Sequence, residues 1–355
     1  MKKLLLGIAA VCLAGFTFAQ DAPLWMRHSV ISPDGTTIAF TYKGDIYTVP
    51  VAGGRAMQIT TNPAYDTAPV WSPDSKRIAF ASDRMGSLDV YIVAKDGGEP
   101  RRLTTHSGSE TPLAFTDAGH VLFSAGIMPS AEAVVFPSNG QFNQVYRVSV
   151  EGGRPTMISS MPMECISINK EGAMLYQDKK GYEDYWRKHH VSPIARDIWM
   201  YTPGKEPQYR QLTTFGGEDR EPVWAPDGKT FYYLSEENGS FNIYRRTPGD
   251  AKAVQLTHYT KNPVRYLSAA TDGRLCYGFD GEIYTLLPGG EAQKVNISIV
   301  SDRNDKDIIR QIKSSGATEM AVSPDGKEVA FVLRGDVYVT SVEYKTTKQI
   351  TNTPC

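Results

Sequence analysis

The sequence predicts an all-β protein, a β-propeller, because three short patterns recur along it in a fixed order. Each unit contains a turn, then an acidic or amide residue followed by a β-branched and an aromatic residue, and finally a segment that closes on Thr or a similar polar residue. The chain also has 31 Gly and 22 Pro, which suits many short strands joined by tight turns. We therefore predict six blades of about four antiparallel strands, followed by the start of a second propeller.

The first pattern is a turn before an apolar strand. Pro presets φ, Asp bonds to the backbone ahead and Gly accepts positive φ. Because the Ser and Asp residues follow the repeat, we interpret them as turn residues and not as a nucleophile or a carboxylate ring. The clearest copies are Ser32-Pro33-Asp34-Gly35, Ser72-Pro73-Asp74-Ser75, Ala225-Pro226-Asp227-Gly228 and Ser323-Pro324-Asp325-Gly326.

The second and third patterns complete each unit. β-branched and aromatic residues fit a pleated, half-buried surface. A small antiparallel sheet cannot bury both its faces alone, so the units must stack about a common axis. The second pattern reads Asp45-Ile46-Tyr47, Asp89-Val90-Tyr91, Gln144-Val145-Tyr146, Asp197-Ile198-Trp199, Asn242-Ile243-Tyr244, Glu282-Ile283-Tyr284 and Asp336-Val337-Tyr338. The third reads Gln58-Ile59-Thr60, Arg102-Leu103-Thr104, Met157-Ile158-Ser159, Gln211-Leu212-Thr213, Gln255-Leu256-Thr257, Lys294-Val295-Asn296 and Gln349-Ile350-Thr351.

The domain organisation follows from the position at which the repeat is interrupted. Seven copies of the second pattern would also fit a single seven-bladed ring. A charged stretch interrupts the repeat, however, and favours a six-bladed propeller over 21–300, a linker over 301–317 and the first blade of a second propeller over 318–355.

The first 20 residues have the features of a secretory signal peptide. Lys2 and Lys3 precede an apolar run that ends at Phe18, and cleavage is expected between Ala19 and Gln20. We expect a periplasmic or secreted bacterial protein. No later segment is apolar enough to predict a membrane span.

Composition and motifs argue against chemistry within the chain. A net charge of −1 gives no global field for nucleic acid, so we expect no nucleic-acid partner. Cys165, Cys276 and Cys355 have the spacing of neither a disulfide framework nor a metal site. No Gly-x-Ser-x-Gly motif occurs. We predict no catalytic residue, metal ligand or cofactor site within 1–355.

One insertion is locally basic and supplies the candidate contact residues. Arg187, His189, His190 and Arg196 could contact a peptide carboxylate or an acidic partner. Adjacent residues on a strand point to opposite faces, which argues against one metal held by both histidines. The alternative is a solvated or interdomain loop. A second insertion, 126–143, is expected to pack over a blade or to form an interface.

The repeats resemble those of TolB and of the propeller-bearing peptidases. The insertion 181–199 and the restart at Ala321-Val322-Ser323-Pro324 are similar to those of tricorn-like serine peptidases. This resemblance implies a much longer parent enzyme with a second propeller, a PDZ-like domain and a serine peptidase core beyond Cys355. Glu110 stands in a loop where that family would suggest a basic pair.

From this resemblance we expect a noncatalytic propeller portion that gates or routes peptides to a catalytic core. Its partners would be peptides or unfolded polypeptide and the remaining domains of the parent peptidase. Whether the protein also forms a homo-oligomer is left open. The alternative is a stand-alone periplasmic TolB-like propeller that acts as a protein-binding scaffold. A propeller lyase or hydrolase with an axial metal has no ligand set to support it.

Overall fold

The computed structural model describes residues 23–126, 142–181, 191–300, 314–344 and 346–351. The chain divides into two compact units, 1–300 and 301–355. The described residues of the first unit form six four-stranded antiparallel sheets, and each sheet follows chain order. No helix with the length and apolar character of a membrane span occurs in the part of the chain that the structure describes.

The blades are numbered in chain order. Blade 1 contains β1 (Arg27–Ile31), β2 (Thr37–Tyr42), β3 (Asp45–Pro50) and β5 (Met57–Gln58), with a short β4 (Gly54–Arg55) before β5. Blade 2 contains β6 (Asp66–Trp71), β7 (Arg77–Ser82), β8 (Asp89–Ala94) and β9 (Arg101–Arg102). Blade 3 contains β10 (Glu110–Asp117), β11 (His120–Ala125), β12 (Gln144–Ser149) and β13 (Thr156–Ser159).

The second half of the ring repeats this plan. Blade 4 contains β14 (Met163–Ile168), β15 (Met174–Asp178), β16 (Ile198–Thr202) and β17 (Gln208–Gln211). Blade 5 contains β18 (Asp219–Trp224), β19 (Phe231–Ser235), β20 (Asn242–Arg246) and β21 (Val254–Gln255). Blade 6 contains β22 (Arg265–Ala269), β23 (Leu275–Phe279), β24 (Glu282–Leu286) and β25 (Gln293–Lys294), and β26 (Ile297–Ser298) follows it.

The first strands of the blades form the inside of a closed ring. Each of β1, β6, β10, β14, β18 and β22 contacts the next, and β22 contacts β1. Closure is reinforced where β26 pairs in parallel with β4, and where the Ile31 amide donates to Ser268 Oγ at 3.1 Å. The predicted six-bladed β-propeller is therefore confirmed.

The turn pattern is held by its own side chains. Ser32 Oγ lies 2.5 Å from Asp34 Oδ1 and accepts a hydrogen bond from the Thr37 amide at 3.0 Å. Ser72 and Asp74 are also 2.5 Å apart and form the same turn. The prediction that these residues shape turns is confirmed.

The second and third patterns recur together because they bind each other. The Ile46 amide donates to Thr60 Oγ1 at 3.0 Å, while Gln58 Nε2 donates to Asp45 Oδ2 at 2.8 Å. The same amide-to-threonine bond joins Val90 to Thr104, Ile198 to Thr213, Ile243 to Thr257 and Val337 to Thr351. The side-chain pair recurs as Asp89–Arg102, Asp197–Gln211, Glu282–Lys294 and Asp336–Gln349.

Neighbouring blades share their cores. Ala39 and Ile46 of blade 1 pack in one buried cluster with Trp71, Ile78 and Phe80 of blade 2. Within a blade, aromatic residues of the second and third strands lie side by side, as in Phe40 and Tyr47 with ring centroids 5.8 Å apart. A blade thus hides its faces against its neighbours, which is the physical reason that the units form a ring.

Five of the six boundaries between neighbouring blades, here called seams, carry one recurring backbone bond among the described residues. The donor is a backbone amide at or just before the start of the first strand of one blade. The acceptor is the backbone carbonyl of the residue that precedes the second pattern in the neighbouring blade. The structure gives this bond as Met26 to Gly281 (3.1 Å), Asp66 to Gly44 (2.9 Å), Glu110 to Leu88 (2.6 Å), Asp219 to Arg196 (3.0 Å) and Val264 to Phe241 (3.0 Å). These bonds define equivalent positions around the ring.

The second unit contains one further sheet of the same design. It consists of β27 (Ala317–Val322), β28 (Glu328–Leu333), β29 (Asp336–Ser341) and β30 (Thr347–Gln349). Phe331 and Tyr338 stack with ring centroids 5.6 Å apart, as in the blades of the ring. Its assignment as the first blade of a second propeller, after a linker over 301–317, stays a prediction.

Candidate functional site: the charged end of the ring

The inner strands all begin at one end of the ring, which we call the charged end. In five of them the pairing slips near the start, and a residue other than Gly takes positive φ: His28, Ala68, Cys165, Glu221 and Tyr266, at 49° to 59°. Such bulges re-aim side chains and often lie beside functional sites. Because the bulge recurs around the ring, it belongs to the fold and not to a single strained centre.

Four charged side chains of blades 4 and 5 form a network of ion pairs at this end, and all but the partly exposed Glu164 are buried. Glu218 accepts from Arg220 Nε at 2.8 Å and from Arg196 Nη1 at 3.4 Å. Arg196 Nε also lies 3.2 Å from Glu164 Oε2. The side chains of Glu218 and Arg220 are 1% and 2% exposed. Arg220 further stacks over the Phe241 ring, with its guanidinium carbon 5.2 Å from the ring centroid.

Polar contacts extend this network to a third blade. Gln177 donates to Glu164 at 3.0 Å and accepts from the Glu221 amide at 2.9 Å. Glu221 Oε2 in turn accepts from the Leu267 amide of blade 6 at 2.8 Å. The network therefore joins blades 4, 5 and 6 through side chains as well as through apolar packing.

The electrostatics of the network keep Glu164 charged and the nearby Cys165 thiol inert. Burial alone would raise the pKa of Glu164, but the positive charges of Arg196 and Lys179 outweigh it, and the net pKa is lowered. Burial, together with the negative charges of Glu221 and Glu164, raises the pKa of Cys165 well above its usual value. A neutral thiol is a poor nucleophile, so Cys165 is a packing residue.

A second part of the charged end, formed by blades 1, 2 and 6, is aromatic. His28 Nδ1 lies 3.1 Å from Thr67 Oγ1, and its ring is 5.0 Å from that of Tyr266. Burial, with a smaller effect of Arg27, lowers the pKa of His28 to about 4, so this imidazole is neutral at neutral pH. Trp25 and Tyr65, which precede β1 and β6, are 71% and 46% exposed.

The predicted contact residues have different outcomes. Arg187, His189 and His190 lie outside the described residues, and so does 127–141, most of the other insertion. Arg196 is only 5% exposed and its guanidinium is engaged by two acids, so the structure places it inside the network. Its proposed contact with a peptide stays a prediction.

The sequence reasoning missed the partners of Arg196. The run Glu218-Asp219-Arg220-Glu221 opens an inner strand, and all four residues are buried. Four consecutive charges at the start of a core strand were a usable indication of a buried ionic network. Among the described residues, no group of three or more His, Cys, Asp or Glu side chains is arranged to hold a metal ion.

The fold and this end together define a closed six-bladed propeller with a network of ion pairs at one end. Residues 23–292 match the tricorn protease N-terminal β-propeller domain, and the chain belongs to that family. The resemblance inferred from the repeat and the insertion is thereby confirmed.

Curated relatives and a solved structure agree with this assignment. The chain is 26% identical over 289 residues to tricorn protease homolog 1 of Streptomyces coelicolor, covering 80% of this chain and 26% of the relative. It is 25% identical over 333 residues to the tricorn protease of Thermoplasma acidophilum, covering 90% and 29%. A crystal structure of the tricorn protease superposes with a TM-score of 0.73 at 19% identity, covering 93% of this chain and 32% of that one, which shows a shared fold.

Proposed function

We propose that this chain is the noncatalytic propeller portion of an exported tricorn-like serine peptidase, which gates or routes peptides to a catalytic core beyond Cys355. The observation that carries the proposal is the family match over 23–292. The chain spans only 26% and 29% of the two tricorn relatives compared above, which supports a division between a propeller and a separate catalytic part.

The charged end supports a role in handling peptides. It presents exposed Trp25 and Tyr65 together with exposed Arg27. Aromatic residues and Arg are the side chains that contribute most to binding energy at protein interfaces. The ionic network of blades 4 to 6 lies at the same end of the ring. Arg187, His189 and His190 are proposed as additional contacts for a peptide carboxylate.

The routing role is tested in the parent peptidase that contains this chain. Trp25→Ala with Tyr65→Ala should raise KM for long peptides while leaving kcat for a short chromogenic substrate unchanged. Leu287→Ala is the matched control, because Leu287 is 48% exposed at the far end of β24. If both variants had the same KM for long peptides, the proposal that peptides pass the charged end would be refuted.

The noncatalytic role is tested on the isolated chain. Purified 21–355 should not hydrolyse peptides and should not be labelled by a serine-reactive probe. Turnover that a single serine substitution abolishes would show that the chain carries its own active site.

Export is tested by fractionation of the native bacterium. The mature protein should be found outside the inner membrane with Gln20 as its first residue. A cytoplasmic protein that still begins at Met1 would refute export without touching the family assignment.

A further inference from the structure

Two fully buried carboxyl groups face each other across the seam between blades 2 and 3. Asp89 opens β8 and is 0% exposed, and Glu110 opens β10 and is 1% exposed. Their side chains lie within hydrogen-bond reach of each other. The Glu110 amide also crosses the seam to the Leu88 carbonyl at 2.6 Å, which fixes the two side chains at close range.

The donors around this pair are too few for two carboxylates. Arg102 Nη2 lies 2.9 Å from Asp89 Oδ2. The Thr104 hydroxyl, which accepts from the Val90 amide at 2.9 Å, and the His106 backbone amide both bond to Glu110. Asp89 Oδ1 and Glu110 Oε2 are buried with no donor among the described residues. An ionised carboxylate can only accept, so two such groups in contact leave both oxygens unsatisfied and one negative charge uncompensated.

We propose that Glu110 and Asp89 share a single proton, and that this proton joins blade 2 to blade 3. Glu110, as the neutral acid, donates to Asp89 Oδ1, while Asp89 keeps its charge and its ion pair with Arg102. One proton thus supplies the missing donor and removes the second charge. The arrangement makes the seam a proton-binding site within the fold.

A comparable pair of buried acids lies at the seam between blades 4 and 5. The charge of Asp197, which is paired with Lys180, acts on Asp219, and Asp219 bonds to Ser235 and Thr213. Asp197 Oδ1 and Asp219 Oδ1 are again buried without a donor in the described part of the chain. Asp219 occupies the position of Glu110, and Asp197 that of Asp89, as the recurring seam bond shows.

The repeat itself couples the two acids of a seam. An Asp in the second pattern is followed at the next inner strand by a buried acid, in the pairs Asp45–Asp66, Asp89–Glu110 and Asp197–Asp219. Where the second pattern has Gln144, Asn242 or Glu282, the equivalent position is apolar, namely Met163, Val264 or Met26. Acids that met by chance would not be sorted in this way.

The protonation energetics agree with the geometry. Burial, with a contribution from Asp89 and against the opposing bonds from Thr104 and the His106 amide, raises the pKa of Glu110 to about 7. Burial likewise raises the pKa of Asp219 to about 7, with Asp197 and Glu237 adding to it and Ser235 and Thr213 opposing it. A raised acid pKa contributes stability that is complete below the unfolded-state pKa near 4.5 and is lost as pH rises through about 7.

The seam between blades 1 and 2 provides an internal control. There Arg84 Nη2 lies 2.8 Å from Asp66 Oδ2, so a side-chain cation engages the inner-strand acid itself, whereas Arg102 and Lys180 at the other two seams pair with the acid of the second pattern. Asp66→Asn should lower Tm at every pH and leave the pH slope between about pH 6 and 8 unchanged.

The test uses residues 21–355 in two measurements. Infrared spectra should show the C=O band of a neutral carboxylic acid at pH 6, with part of it missing in Glu110→Gln and part in Asp219→Asn.

The Tm of the unsubstituted protein should fall by several degrees from about pH 6 to 8. The Tm of Glu110→Gln should fall less, because its amide donates to Asp89 at every pH. Absence of a neutral-acid band at pH 6, which needs no variant, would overturn the proposal, as would an unchanged slope in Glu110→Gln.

Discussion

Glu218→Gln removes the charge that joins two buried arginines while preserving the size of the side chain. Arg220 Nε and Arg196 Nη1 lie 2.8 and 3.4 Å from its carboxylate, and Glu218 is 1% exposed. Breaking a buried ion pair by removing one partner costs roughly 3–5 kcal/mol. The amide oxygen still accepts one bond and Glu164 still engages Arg196, so we expect about 3 kcal/mol.

This loss should be visible as a change in thermal and chemical stability. A loss of about 3 kcal/mol corresponds to a Tm lower by roughly 6–12 °C for a domain of this size. Urea unfolding of 21–355 should give a lower midpoint with an unchanged m-value. The matched control is Arg101→Ala, which breaks an exposed ion pair with Glu151. The side chains of Arg101 and Glu151 are 48% and 73% exposed. A Glu218→Gln protein as stable as this control would refute the argument that the network stabilises blades 4 and 5.

Two further predictions concern ring closure and the neutral histidine. Gly53→Ala should destabilise more than Gly54→Ala, because a Cβ on Gly53 would lie 2.5 Å from the Asn296 carbonyl oxygen, whereas one on Gly54 meets no atom within 4 Å. Both have positive φ, so the Gly54 variant should show only the strain of about 1 kcal/mol, and equal losses in urea unfolding would contradict the close approach. His28→Gln should flatten the pH dependence of Tm between about pH 4 and 6.5, because a lowered imidazole pKa gives stability that is present above the unfolded pKa and lost as pH falls towards about 4. An unchanged slope in that window would show that His28 is not the group responsible.

The sequence was sufficient for the blades because each pattern is local. The Ser32 turn and the Thr60 bond to the Ile46 amide form within one sheet, so their residues recur at fixed spacing. The ion pairs of the charged end could not be predicted in this way. Arg196 follows a basic run and looked like a loop charge, yet the chain enters β16 two residues later, and that re-entry carries its guanidinium between Glu164 and Glu218.

The acid pairs at the seams could not be predicted from the sequence for a similar reason. Asp89 and Glu110 belong to different repeats, and they meet only because the seam bond from Glu110 to Leu88 sets the register of adjacent blades. A pattern search within one repeat assigns Asp89 to its partner Arg102 and leaves Glu110 as an isolated acid. Only the closed ring shows that the two positions vary together.

If a proton and an arginine are interchangeable at a seam, removing the arginine should create a proton-binding seam. Arg84→Met deletes the cation that pairs with Asp66 and keeps an apolar side chain against Phe80 and Tyr91, whose ring centroids lie 5.4 and 5.1 Å from the guanidinium carbon. Asp66 would then face Asp45 as Glu110 faces Asp89. We expect Tm of Arg84→Met to match the unsubstituted protein most closely at about pH 5 and to fall more steeply above it, as a newly bound proton is lost. A loss of Tm that is the same at every pH would mean that Arg84 contributes packing alone and that the acids of this seam are not coupled.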